Sequence, residues 1–154
     1  MIKIRKAKSS EWSIIQKLNN FVFLNDKKND DDLDMNWPFS KKGIRYYKGL
    51  ANGKYGHCLI AYLGKIAVGY VALAKKDFGY RKSKYIEIEN IGVDPKYRSH
   101  GIGTKLVNAA IEWAKTKGAM KLWVSAYPQN KKAIIFYKKN HFYETGVELD
   151  RNIN

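Results

Sequence analysis

The chain lacks the cysteines that a disulfide framework needs. Cys58 is the one cysteine among 154 residues, so no internal bridge can form, and a lone thiol suits a reducing, cytoplasmic setting. No apolar run approaches the ~20 residues needed to cross a bilayer. The N-terminus, MIKIRKAKSSEW, alternates charged and aliphatic residues without a signal-peptide core. No membrane partner is expected. No internal repeat or linker divides the chain, so residues 1–154 are expected to form a single domain. Negative charge is also scarce. Only 14 acids stand against 29 lysines and arginines, a formal charge of +15. Such a field attracts polyanions of any kind and does not discriminate a nucleic acid from a small anionic ligand. Five of the acids, Asp26, Asp30, Asp31, Asp32 and Asp34, crowd one short segment.

Hydrophobic residues at 45% and charged residues at 28% describe a globular chain able to bury a core. Residues 2–6 alternate like a first strand. Ser9 or Ser10 is placed to cap a helix in which Trp12, Ile15, Leu18 and Val22 recur at helical spacing. A polar loop follows, then a second helix over about 41 to 52 that stops near Gly53. CLIAYLGKIAVGYVALAKK reads as a hairpin turning at Leu63-Gly64-Lys65. KYIEIENIGV is a further strand, strictly alternating from Tyr85 to Glu89. A helix from 101 to about 117 carries Ile102, Leu106, Ala110, Trp113 and Ala114 on one stripe, with Gly118 as its stop. A short strand KLWVSA, a short helix NKKAIIFYKKN and one or two closing strands in FYETGVELDRNI complete the order. This is an α/β fold around one central sheet of six to seven strands, flanked by about four helices.

VDPKYRSHGIGTKL, residues 93 to 106, ends a strand in a basic, glycine-punctuated turn that opens a helix. The first N–H groups of a helix have no internal partner and its dipole end is positive. Gly101 and Gly103 let an anion approach the backbone, and Arg98 and Lys105 add charge. Missing residues exclude two nucleotide cradles. A Walker A loop needs G-x-x-x-x-G-K-[ST], whereas GIGTK lacks the first glycine and reverses Lys and Thr. A dinucleotide fingerprint needs a third glycine where Leu106 stands.

The pattern V-x-P-x-Y-R-x-x-G-I-G-x-x-L resembles the acetyl-CoA pyrophosphate loop of the GNAT N-acetyltransferase superfamily, here Arg98, Gly101 and Gly103. NKKAIIFYKKNHF resembles that family's second signature, an Asn followed seven residues later by a Tyr, here Asn130 and Tyr137. The likeness runs from about residue 57 to 147. It departs where the family has a glycine before the Phe after that helix. Asn140-His141-Phe142 stands there, and Asn tolerates a left-handed cap.

The resemblance implies an N-acetyltransferase with acetyl-CoA as acyl donor and direct attack by an amine in a ternary complex. It implies that backbone groups of Ile91, Gly92 and Val93 meet the pantetheine arm, with Asn130. Backbone amides of Ser99, His100, Gly101, Ile102, Gly103 and Thr104 would hold the pyrophosphate, and the His100 side chain has no assigned role. Family members place a catalytic carboxylate at either of two positions. Counting back from Arg98, Glu89 matches the polyamine type and Glu87 the histone type. Glu89 is the favoured base, as the nearer to the reacting end, and Tyr137 the acid that protonates the leaving thiolate. Cys58 is expected to be a buried strand residue. No metal is expected, because Asp30, Asp32 and Asp34 lack the rest of an EF-hand loop. The resemblance implies that the loop between the first two helices, which carries the acidic segment with Trp37 and Phe39, lines the acceptor side, where it would draw in a cationic amine such as a polyamine, an aminoglycoside or a Lys-rich peptide. A homodimer is possible, as in many family members. A nucleic-acid partner is not favoured, since no RNA-binding aromatic signature or helix-turn-helix pattern is present. The alternative function is a catalytically weak domain of this type that binds acetyl-CoA or, through its basic surface, nucleic acid.

Overall fold

The computed structural model describes residues 1–154. The elements in chain order are β1 (Ile2–Lys6), α1 (Trp12–Asp26), α2 (Lys41–Asn52), β2 (His57–Leu63), β3 (Ile66–Lys76), β4 (Tyr85–Val93), α3 (Ile102–Thr116), β5 (Lys121–Trp123) and α4 (Lys131–Lys139). The strands form one sheet in the order β1-β2-β3-β4-β5. The first three pairings are antiparallel and β4–β5 is parallel. No helix is long and apolar enough to cross a membrane.

Period-two alternation splits the core between the sheet's faces. Leu59, Ala61, Val71, Leu73, Ile86 and Ile88 face α3, which presents Ile102, Leu106, Ala110 and Ala114. Cys58, Ile60, Tyr70 and Ala72 face α1 and α2, which present Ile15, Leu18, Tyr47, Leu50 and Ala51. The ends of α2 and α3 fall where glycine allows a left-handed turn. Gly53 closes α2 with φ 79° and Gly118 follows α3 with φ 71°.

The structure corrects the sheet, one helix cap and one turn. The sheet has five strands, not six or seven, because residues 143–154 form no strand. Val147 and Leu149 are 85% and 88% exposed, and β5 stops after three residues, leaving a short edge to pair with. Neither Ser9 nor Ser10 caps α1. A 3-10 turn, Ser9–Glu11, precedes it, and the Glu11 carboxylate accepts the Lys8 N–H at 2.7 Å. After α4, Asn140 stays at φ −94°, and His141 takes the left-handed conformation at φ 67°. Asn140 donates its side-chain N–H to the Phe136 carbonyl at 2.9 Å instead.

Candidate active site

The β3–β4 register slips by one residue. Ala72 pairs Asn90, but the next residue, Leu73, pairs Ile88. Glu89 is therefore the extra residue of a β-bulge. Without the bulge, Glu89 and Asn90 would point to opposite faces. With it, both reach the α1–α2 side, as does Glu87.

There they line a groove of about 380 Å³ with Asp26 and Asn19 from α1 and Tyr46 from α2. Val22, Phe23, Leu33 and Trp37 form its apolar walls. The wall is rigidly made. Trp37 stacks on Phe23 at 5.8 Å between centroids and packs against Tyr46 at 5.6 Å. Gln16 donates to the Pro38 carbonyl at 2.8 Å, which pins the Trp37 turn to α1. Three carboxylates thus converge in one cleft of a strongly basic chain. A second groove, about 470 Å³, lies on the outer side of α2 and is lined by Lys41, Arg45, Lys48 and Lys54 without any carboxylate. An ammonium would be repelled there.

Glu89 accepts the Tyr46 hydroxyl at 3.0 Å. Its side chain keeps contact with solvent, yet the groove walls withdraw enough water to raise its pKa. The Tyr46 bond opposes that shift and the nearby Glu87 charge adds to it. Asp26 is raised as well, chiefly by burial. The other acids of its segment do not line the groove. Asp30 accepts the Tyr127 hydroxyl at 2.6 Å and the Asp32 N–H at 3.0 Å. Asp34 accepts the Asn36 N–H at 2.9 Å. The segment is folded through these bonds, and Asp26 is its member that faces the groove.

β4 pairs β5 only through Tyr85, Ile86 and Glu87, so its outer edge is open along Ile91, Gly92 and Val93. Gly92 is needed for close approach of α1, since an added Cβ would lie 2.8 Å from the Val22 Cγ2. Ser99 and Gly101 take left-handed φ values of 64° and 75° and turn the chain into α3. Lys105 donates its N–H to the Gly101 carbonyl at 3.1 Å. The N–H groups of Ile102, Gly103 and Thr104 precede it and have no helical carbonyl to reach. A pyrophosphate fits these donors. Arg98 donates Nε to the Val93 carbonyl at 3.1 Å, leaving its terminal nitrogens for an anion. His100 Nδ1 donates to the Arg98 carbonyl at 2.7 Å, so the imidazole braces the loop. Gly103 serves packing: a Cβ there would meet the Phe136 Cε2 at 2.9 Å, whereas one at Gly101 would meet nothing within 4 Å.

Asn130 caps α4, accepting the Ala133 N–H at 3.2 Å. Its amide N–H groups stay available. Tyr137 packs between Phe136 and Phe142, at 5.3 and 5.5 Å. Burial, with a contribution from the Asp26 charge, pushes its phenol up to about 12. Cys58 is fully buried, and burial pushes its thiol well above the usual range, which removes it as a nucleophile.

The Acetyltransferase (GNAT) family profile matches residues 24–142, most of the chain. The chain belongs to the GNAT acetyltransferase family. GNAT enzymes take their acetyl group from acetyl-CoA. An N-acetyltransferase of Methanocaldococcus jannaschii, itself uncharacterised, is 39% identical over 70% of this chain. That match spans 48%, about half, of the relative's length. The thialysine N-epsilon-acetyltransferase of Mus musculus is 27% identical over 88% of this chain and 81% of its own. Among solved structures, a Bacillus halodurans protein, studied as a tetramutant, superposes with TM-score 0.83 at 18% identity, covering 98% of this chain and 99% of that one. An aminoglycoside N-acetyltransferase in complex with CoA superposes with TM-score 0.76 at 18% identity, covering 100% and 96%. At that identity these two likenesses speak to the fold.

Sequence reasoning missed Asn19, Tyr46 and Asn90. Asn19 carried a signal, because it sits four residues after Ile15 on the apolar stripe of α1 and is 3% exposed. A polar residue on a buried stripe needs a partner. Asn90 carried none, since strict alternation places it beside Ile88.

Proposed function

We propose that the chain acetylates a primary amine on a small cationic molecule whose alkyl portion lies against Phe23 and Trp37. The reading rests on the groove in which Asp26, Glu87 and Glu89 converge between apolar walls. That lining suits an ammonium on a flexible chain. It also fits the amine-rich acceptors named for similar proteins, thialysine and the aminoglycosides.

An alkylammonium of pKa ~10.4 must lose a proton before it attacks. Glu89 takes that proton, directly or through one water. The amine nitrogen then bonds to the thioester carbonyl carbon, and as the carbon–sulfur bond breaks the nitrogen sheds its second proton to water, leaving the neutral amide. Acetyl-CoA supplies the activated acyl group. N–H groups of Ile102, Gly103 and Thr104 hold its pyrophosphate, and the open β4 edge holds its arm. Tyr137, with its phenol kept protonated, gives a proton to the departing sulfur. The test is a screen of diamines and polyamines, lysine-type amines, aminoglycosides and peptides, read by thiol release and by mass of the acetylated product. Turnover with the flexible amines above the aminoglycosides supports the reading. Release of thiol with no amine in the screen, or turnover confined to peptides, refutes it. Tight, salt-dependent binding to duplex DNA in place of turnover would favour a nucleic-acid role.

A further inference from the structure

Behind Glu89 runs an unbroken line of side chains into the core. Tyr46 donates its hydroxyl to Glu89 at 3.0 Å. Asn90 donates its amide to the Tyr46 oxygen at 3.2 Å. Tyr70 donates its hydroxyl to the Asn90 carbonyl oxygen at 2.5 Å. Asn19 donates its amide to the Tyr70 oxygen at 2.7 Å. Tyr47 donates its hydroxyl to the Asn19 carbonyl oxygen at 2.5 Å. Tyr47 and Tyr70 are 0% exposed and Asn19 is 3% exposed.

The direction of every bond is dictated from the groove end. An ionised carboxylate only accepts, so Tyr46 must donate to it. The Tyr46 oxygen then needs a donor, so Asn90 must present its N–H₂ group. The Asn90 carbonyl is thereby turned to Tyr70, which must donate. The same logic orients Asn19 and ends on the Tyr47 hydroxyl. Reversing one amide would set two donors or two acceptors against each other at a buried contact. All five links point toward Glu89, and hydrogen bonds aligned in one direction polarise and strengthen one another.

We infer that Tyr46 is a positioning residue for Glu89, and that the buried chain of Tyr47, Asn19, Tyr70 and Asn90 fixes Tyr46 as a donor to it. The inference deepens the proposed function and rests on Glu89 as its base. Its effect is to favour the ionised form of Glu89, which can take a proton, against the desolvation and the Glu87 charge that raise its pKa. The other titratable groups lining the groove are Asp26 from α1 and Glu87 from β4. Both are carboxylates, and a negative charge on either opposes ionisation of Glu89. Tyr46 is the group there that favours it. Burial raises the Tyr46 phenol far above its usual range, with the Glu89 charge adding to the shift. The phenol therefore stays a donor at every working pH.

The test reads the carboxyl itself and needs no acceptor. The protein labelled with carbon-13 at glutamate side-chain carboxyls, in the presence of acetyl-CoA, is titrated by NMR, with Glu89→Gln assigning the Glu89 signal. In Tyr46→Phe, the Glu89 midpoint moves to higher pH, while the Glu11 and Glu112 signals stay put. Asn90→Leu keeps Tyr46 in contact with Glu89 but removes the donor behind it. It shifts the midpoint in the same direction by less. Retained acetyl-CoA affinity shows that each variant is folded, and Asn90→Ala replaces Asn90→Leu if that one is not. An unchanged midpoint in Tyr46→Phe overturns the role of Tyr46. A shift in Tyr46→Phe with none in the Asn90 variant overturns the chain behind it. Full turnover by Glu89→Gln instead removes the base assignment and leaves the titration result standing.

Discussion

Replacing Gly103 with alanine separates two reasons for a glycine in the phosphate loop. An alanine Cβ would lie 2.9 Å from the Phe136 Cε2 and 3.0 Å from its Cζ. That is about 0.5 Å inside the ~3.5 Å at which carbon atoms rest. Overpacking of this size costs about 1–3 kcal/mol. Against it stands the gain from alanine over glycine in a helix, up to ~1 kcal/mol. The net loss is about 1 kcal/mol, a fall in Tm of about 2–4 °C for a chain of this size. Because Phe136 precedes Tyr137 on α4, its displacement moves the proposed acid and weakens acetyl-CoA binding too. Phe136→Leu removes the ring that clashes, at a cost of about 1 kcal/mol or less for a partly exposed site. In that background Gly103→Ala becomes neutral or stabilising. The assay is a double-mutant cycle in thermal unfolding and in calorimetric acetyl-CoA affinity. The expected coupling is about 1 kcal/mol or more in favour of the double variant. Additive losses would refute the reasoning and return Gly103 to the role of clearing space for phosphate.

Two more outcomes follow from the same contacts. Glu11 receives Arg5 at 2.7 and 3.0 Å and the Tyr62 hydroxyl at 2.6 Å. The Arg5 bond chiefly, with Tyr62 and the Lys8 N–H, holds its carboxyl down at about 2. A depressed folded-state pKa stabilises above the unfolded value of ~4.3. Stability conferred by Glu11 is thus lost as pH falls from there toward 2. A shift of this size is worth about 3 kcal/mol, and with Arg5 partly exposed denaturant titrations should show Glu11→Gln less stable by about 2 kcal/mol at pH 7, with most of the gap closed by pH 2. A constant gap across that range would contradict this account. Tyr137→Phe should lower turnover tenfold or more while leaving acetyl-CoA affinity near that of the parent in calorimetry. Equal loss of both would make Tyr137 a packing residue.

Local rules made most of the fold legible. The hairpin at Gly64, the α3 stripe and the stops at Gly53 and Gly118 each follow from chemistry within a few residues. The missing closing strands were not legible, because whether Val147 and Leu149 pair depends on an edge supplied by β5, and β5 is three residues long. The turn that opens α3 was readable from Gly101 and the helical stripe that follows it. Gly103's neighbour was not, since Phe136 arrives from a distant element. The groove showed the same division. Glu87 and Glu89 stood out as strand carboxylates, but Asn90 joins them only because a bulge resets the register between Ala72 and Leu73. Tyr46 gave no sign within its own helix, where two adjacent tyrosines point one into the core and one to the groove. Asn19 was the detectable exception.

The central claim is that Glu89 serves as base to an amine in the carboxylate groove. Its most direct test is single-turnover acetylation by Glu89→Gln at saturating acetyl-CoA, with the best amine from the screen. The account predicts a rate lower by about 10²–10⁴, with acetyl-CoA affinity unchanged and partial recovery as pH is raised to deprotonate the amine in solution. A rate equal to that of the parent enzyme at neutral pH would contradict it.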